Sequence, residues 1–356
     1  MEFGLNFFPV FAPERKTAAE YYREVLDLSV LAERHGFEHV QTVEHYGSPY
    51  GGYSPDPVTL LTAIAARTER IRITTGAVIP AFTHPLKLAG KLAMLDNLCG
   101  GRLDVGFGRG FLPDEFDWFG IPIDESRRRF TEGVEACRRL WSEENVTWEG
   151  EFYRFGPITL LPRPVQNPHP PIFVASASSP ESCAQAGTDG YHLQIVPSIV
   201  SHEVMLEMLD SYRRSWAAAG RPAGAGRVQV KYTCYLSEDR AQALEWGERF
   251  ENNYIDLMTG AIASWAATTS ADYKGYEKLI DKVRTYDFTK SLNDHKVLAG
   301  TPAEVTEQLT AIRGWFGDDI TVSLQLNPGY MPYEDSRRAL ELFADHVAPH
   351  FGNADV

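Results

Sequence analysis

Three short runs hold the side chains best suited to chemistry. The first is Gly106-Phe107-Gly108-Arg109-Gly110, which ends a strand that starts at a Gly100-Gly101 turn. Glycine lets a ligand come close to the backbone, and a guanidinium grips phosphate with two parallel donors. The second is Ser176-Ala177-Ser178-Ser179, directly before Pro180. Hydroxyls beside the free N–H groups of a helix start form a ready phosphate site. The third is Glu44-His45-Tyr46. An imidazole titrates near neutrality and can move a proton there. Each run also has a plainer reading: a structural turn with a surface arginine, an ordinary N-cap, and a polar rim histidine. Arg127 and His84 each open a helix, where a solvated arginine and a packed helix-start histidine are equally open. The strand ends supply no paired carboxylates, no nucleophile beside a base and no metal triad. The Gly-Arg-Gly run lacks the Lys-Ser/Thr of a P-loop and the spacing of a dinucleotide fingerprint.

These residues need elements to position them, and the chain alternates strand and helix. Strands are predicted at 3–10, 37–43, 71–79, 103–108, 172–176, 192–196, 228–236 and 320–326. Helical spacing runs through 17–35, 58–67, 86–97, 127–142, 180–186, 204–219, 240–259 and 333–343. Eight strands mostly separated by helices predict a (β/α)₈ TIM barrel in the α/β class. A doubly wound sheet is the weaker alternative, since the count reaches eight and no early dinucleotide motif is present. The rhythm breaks at 146–170, where Trp148, Phe152, Tyr153 and Phe155 flank a Gly-Glu turn. A hairpin inserted after the fourth βα unit is expected there. The stretch 262–298 is long, mixed and polar, and is expected to be a mobile lid after strand seven. No repeat or linker interrupts the chain, so a single domain over 1–356 is expected. In such barrels the active site lies at the C-terminal ends of the strands, where all three runs fall.

A net charge of −14 and a pI near 5.2 argue against nucleic acid or an anionic membrane as partner. No apolar run approaches the roughly 18–20 residues of a membrane span. Met1-Glu2-Phe3-Gly4-Leu5 reads directly as a strand, so no signal peptide and a cytoplasmic location are expected. Cys99, Cys137, Cys183 and Cys234 are scattered without metal spacing, as reduced thiols of a cytosolic protein would be.

Taken together, several stretches match a family. They are Val43-Glu44-His45, Pro80-Ala81-Phe82-Thr83-His84-Pro85, Gly101-Arg102, Gly106-Phe107-Gly108-Arg109-Gly110, Ser126-Arg127, Val174-Ala175-Ser176-Ala177-Ser178-Ser179 and Gly300-Thr301-Pro302. In order and spacing the chain resembles the bacterial luciferase-like, flavin-dependent monooxygenases over roughly residues 1–350, most of all their luciferase alpha subunits. The resemblance implies reduced FMN delivered by a separate reductase, dioxygen as co-substrate, and a C4a-peroxyflavin that oxidises an apolar aldehyde, ketone or secondary metabolite. It puts the FMN phosphate on Arg109, Arg127, Ser176 and Ser179, and the remaining cofactor contacts on Glu44, Gly76, Ala77, Gly108, Ala177 and Ser178. It makes His45 catalytic, Gly76-Ala77 a non-proline cis peptide, and helices 58–67 and 86–97 the contact of a homodimer, with a heterodimer possible in the same way. Two positions depart from luciferase: Gly108 replaces a reactive cysteine and Ala175 a glutamate. Hydride transfer with a deazaflavin and a non-catalytic partner subunit are the rival implications.

Overall fold

The computed structural model describes residues 1–352; positions 353–356 of the expected domain lie outside the described residues. The elements alternate through most of the chain: β1 (Glu2–Phe7), α1 (Ala18–Arg34), β2 (His39–Thr42), α2 (Pro57–Ala65), β3 (Arg72–Thr75), α3 (Pro85–Leu98), β4 (Leu103–Phe107), α4 (Pro113–Trp118) and α5 (Ser126–Ser142). The antiparallel pair β5 (Val146–Glu149) and β6 (Arg154–Ile158) follows as the expected hairpin. Then come β7 (Ile172–Ser176), α6 (Pro180–Asp189), β8 (His192–Ile195), α7 (His202–Ala218), β9 (Val228–Leu236) and α8 (Arg240–Ala261). The chain finishes with α9 (Leu279–Arg284), α10 (Phe288–Asn293), β10 (Leu298–Gly300), α11 (Pro302–Phe316), β11 (Ile320–Gln325) and α12 (Tyr333–His346).

Eight parallel strands close on themselves in the order β1-β2-β3-β4-β7-β8-β9-β11, with β11 returning to β1. This is the predicted TIM barrel. The strand sequences explain its two faces. In β9, Val228, Val230, Tyr232 and Cys234 join the apolar core under the helices. Gln229, Lys231 and Thr233, alternating with them, take the opposite face, toward the barrel axis. Helix starts are fixed by side-chain caps: Thr17 and Thr301 in capping boxes, and Asp56, Ser179, Ser201 and Asp239 accepting from first-turn amides. No helix among the described residues is long and apolar enough to cross a membrane.

Two strands end well short of the predicted span, β1 at Phe7 and β3 at Thr75, and β2, β4, β8 and β11 each end one residue early. Their backbones leave the sheet there to build the barrel mouth. α4, α11 and β10 were not predicted. α11 was readable, because Thr301 and Glu304 form its capping box and Val305, Leu309, Ile312 and Phe316 bury one face. Segment 262–298 is not structureless: 3₁₀ turns, α9 and α10 fill it, and Trp265, Tyr273 and Val283 pack there with Val10, Tyr50 and Leu112.

Candidate active site

The C-terminal strand ends open into a cavity of about 1820 Å³. Glu44, His45, Gly76-Ala77, Gly108, Arg109, Arg127 and the Ser176–Ser179 run all line it. The residues to which the resemblance assigns catalysis or cofactor contacts therefore all line one space. His84 does not line it. Its ring accepts the Leu86 amide at 3.2 Å and packs on Tyr153 and Phe155 of the hairpin, the plain helix-start reading.

His45 follows β2 and is buried. Its Nδ1 lies 3.0 Å from Oε1 of Glu115, a fully buried carboxylate on α4. The same oxygen accepts the Tyr46 amide at 2.8 Å. A carboxylate oxygen that only accepts puts the imidazole proton on Nδ1, which leaves the Nε2 lone pair available. Phe8, Tyr50 and Phe111 surround the ring at 5.5–6.0 Å. Glu44 turns the other way. Its oxygens accept Tyr46 Oη at 2.6 Å and the Ile79 amide at 3.0 Å, and burial pushes its carboxyl up to about 7 against both bonds.

Backbone shape matters at two points. The Gly76–Ala77 peptide is cis, as the resemblance implies, and the Gly76 carbonyl accepts from Lys231 Nζ at 2.6 Å. A Cβ on Gly108 would come within 3.2 Å of the Ala77 Cβ, so any side chain at 108 would crowd the space over Ala77. The Ser176–Ser179 run caps α6: Ser179 Oγ accepts the Ser182 amide at 3.1 Å and donates to Glu181 at 2.9 Å.

Arg109 and Arg127 are joined through Asp272 of segment 262–298. Asp272 offers its carbonyl to Arg109 Nη2 at 3.2 Å and its carboxylate to Arg127, at 3.2 Å from the amide and 3.4 Å from Nε. The Arg109 guanidinium stacks on Tyr273, 4.2 Å from the ring centre, and its buried Nη1 has no partner among the described residues. Tyr273 Oη and Trp265 Nε1 donate to the carbonyls of Gly110 and Phe111. Segment 262–298 thus lies across the exit of β4, with the Asp272 carboxylate on an arginine expected to hold phosphate.

The profile of the family described as luciferase-like monooxygenase matches residues 1–319. The chain belongs to that family. The oxygenase component of the flavin-dependent trigonelline monooxygenase of Acinetobacter baylyi is 26% identical over all of this chain and 97% of its own. The FMNH₂-dependent dimethylsulfone monooxygenase of Pseudomonas putida is 27% identical over 90% of this chain and 86% of its own. Among solved structures, monooxygenase RslO1 from Streptomyces bottropensis is 49% identical, with a TM-score of 0.90 over 99% of this chain and all of that one.

In this luciferase-like monooxygenase, sequence reasoning missed Glu115, Lys231 and Asp272. Glu115 sits in Pro113–Trp118, too short to show helical periodicity. Lys231 did leave a signal: a lysine at an inward position of an otherwise buried strand. Asp272 left none, because only the fold brings the lid to Arg127.

Proposed function

We propose that this chain is the oxygenase of a two-component system, a single-domain enzyme that uses FMNH₂ from a separate reductase and dioxygen. One oxygen atom goes into an apolar carbonyl compound or a secondary metabolite. The observation that carries the reading is His45, oriented by buried Glu115 and facing the same cavity as Arg109 and the serine run.

The residues fit FMN. The unpartnered Nη1 of Arg109 is a buried donor in want of an anion, and the serine run adds hydroxyls and the α6 N-terminus. Gly108 leaves the space over Ala77 open to a flat ring. Bound there, reduced FMN would supply the electrons that activate dioxygen. The protein's own work is threefold. Arg109, Arg127 and the serines hold the phosphate. Phe8, Tyr50, Phe111 and Tyr254 wall off water, which protects reactive oxygen species from release. His45 Nε2 takes a proton from the oxygen that attacks the substrate and returns it later. The lid, 262–298, covers the mouth. Met94 and Leu98 of α3 are exposed, as are Leu161 and Val165, and Asn97 Nδ2 donates to the Arg163 carbonyl between these pairs. We place the homodimer contact on helices 58–67 and 86–97, with exposed Met94 and the adjoining Leu98 as its apolar surface.

The test offers FMNH₂, dioxygen and a panel of apolar aldehydes and ketones, and scores oxygenated product against hydrogen peroxide. His45→Ala should lower product formation by about 10²–10⁴-fold with little change in FMNH₂ affinity. A near-normal rate in the variant would reduce His45 to a rim residue. Tight binding of a reduced deazaflavin in place of FMNH₂ would favour hydride transfer instead.

A further inference from the structure

Lys231 projects from the middle of β9 into the cavity floor. Its Nζ donates to the Gly76 carbonyl. The point where a Gly76 Cβ would stand is 3.2 Å from Nζ and 2.3 Å from Gln41 Oε1, an acceptor with no partner. No ion pair involving Lys231 forms among the described residues. The two buried acids that share the cavity are engaged elsewhere, Glu44 with Tyr46 and Ile79 and Glu251 with Tyr235 and Tyr286. The floor therefore holds an amine bonded to a carbonyl, with no counter-charge among the described residues. Burial alone pulls this amine down to about 7, so an entering anion would hold it protonated.

The phosphate donors, Arg109 and the serine run, stand apart from this amine in the sequence and on other strands. Lys231 instead bonds the Gly76-Ala77 floor, the part of the cavity that Gly108 leaves open. Oxidised flavin has a neutral ring. Two electrons and one proton convert it to a ring with one negative charge. We propose that Lys231 is the positioning residue that makes this site prefer reduced FMN over oxidised FMN, by supplying the counter-charge to the anionic ring. The inference rests on the reading of the cavity as an FMN site. It would let the oxygenase take FMNH₂ from a reductase and release FMN after turnover.

The experiment is anaerobic titration of the full chain with FMN and with chemically reduced FMN, together with the midpoint potential of bound FMN by dye equilibration. The wild type should bind the reduced form at least about tenfold tighter, the low end for a hydrogen bond to a charged group. Lys231→Met and Lys231→Gln should each cut that preference by about 10–100-fold, mainly through weaker binding of reduced FMN. The bound potential should then fall by roughly 30–60 mV, since tenfold is about 30 mV for two electrons. Gln keeps a donor for the Gly76 carbonyl, so a purely structural lysine would be rescued by it. Equal wild-type affinity for both forms, or a wild-type preference retained in the Gln variant, would overturn the proposal while leaving the FMN site standing. Failure of the wild type to bind either form would overturn the FMN reading itself, and this inference with it.

Discussion

At the N-terminal end of the barrel, Asp104 is wholly buried and both its oxygens are used. Arg72 and Arg227 each reach it with two donors, at 2.5–3.0 Å. Arg227 also bonds Glu38, which meets His39, which meets Ser323. Burial opposes ionisation of Glu38, but His39, Arg227 and Arg72 outweigh it and hold its carboxyl at about 2. The C-terminal end buries charge just as deeply and leaves it incomplete. Among the described residues, Lys231 has no acid, Glu44 has no cation in bonding reach, and Arg109 Nη1 and Glu115 Oε2 have no partner. Buried polar groups are normally satisfied. A closed network at one end and open valences at the other separate the end that holds the fold from the end that awaits a ligand.

The contrast is broken most severely at Asp104. Replacing it with alanine leaves two partly buried guanidiniums facing each other. Breaking a buried pair this way costs about 3–5 kcal/mol, read as unfolding free energy in denaturant. FMNH₂ affinity, measured well below the transition, should not move. If Asp104→Ala weakened flavin binding while leaving stability intact, the division of labour between the ends would be wrong.

Glu44 sharpens the comparison through pH. Its carboxyl sits near 7 in the folded chain and near its ordinary 4.5 when unfolded. From about 4.5 to 7 the unfolded chain releases a proton that the folded chain keeps, so stability falls as pH rises, and above 7 the loss is complete. Wild type minus Glu44→Gln should therefore shrink by up to about 3 kcal/mol across that window, at about 1.36 kcal/mol per pKa unit. Melting of both proteins at about pH 5.5 and about pH 8 checks it. A difference that is flat with pH would mean that Glu44 ionises normally. Glu38 predicts the opposite sign at the other end: its stabilisation is present above the ordinary carboxylate range and is lost as pH falls toward 2.

How much of this was legible follows from what each feature depends on. The barrel was readable because strand and helix patterns are local: β7 and β9 match the predicted spans at both ends. Arg109 and the serine run could be picked out because each is a local pattern, an arginine between glycines at a strand end and hydroxyls directly before a helix-start proline; that both line one cavity is a property of the fold. The His45–Glu115 pair spans 70 positions, and nothing local marks it. The N-terminal network joins Glu38, Arg72, Asp104 and Arg227 from four strands' entries, each an ordinary charged residue when read alone. Lys231 lies between these cases. Its position was visible, but its lack of a counter-charge among the described residues was a property of the fold.

Arg109→Ala is the mildest break, and it asks whether the open end is open for a ligand. In the unliganded chain this arginine is poorly used: one bond to the Asp272 carbonyl at 3.2 Å, a stack on Tyr273, and an idle Nη1. Its removal should cost far less stability than the loss of Asp104. A charge-assisted bond to phosphate is worth roughly 1.5–3 kcal/mol, so FMNH₂ should bind about 10–100-fold more weakly. Riboflavin lacks the phosphate and should bind both proteins alike. That control separates the guanidinium's charge from its packing on the lid, because loosening Tyr273 would weaken both ligands. An equal loss for riboflavin would assign Arg109 to lid docking, with Asp272 and Tyr273 as its true partners. An unchanged FMNH₂ dissociation constant would take it out of the site and leave the serine run and Arg127 to hold the phosphate.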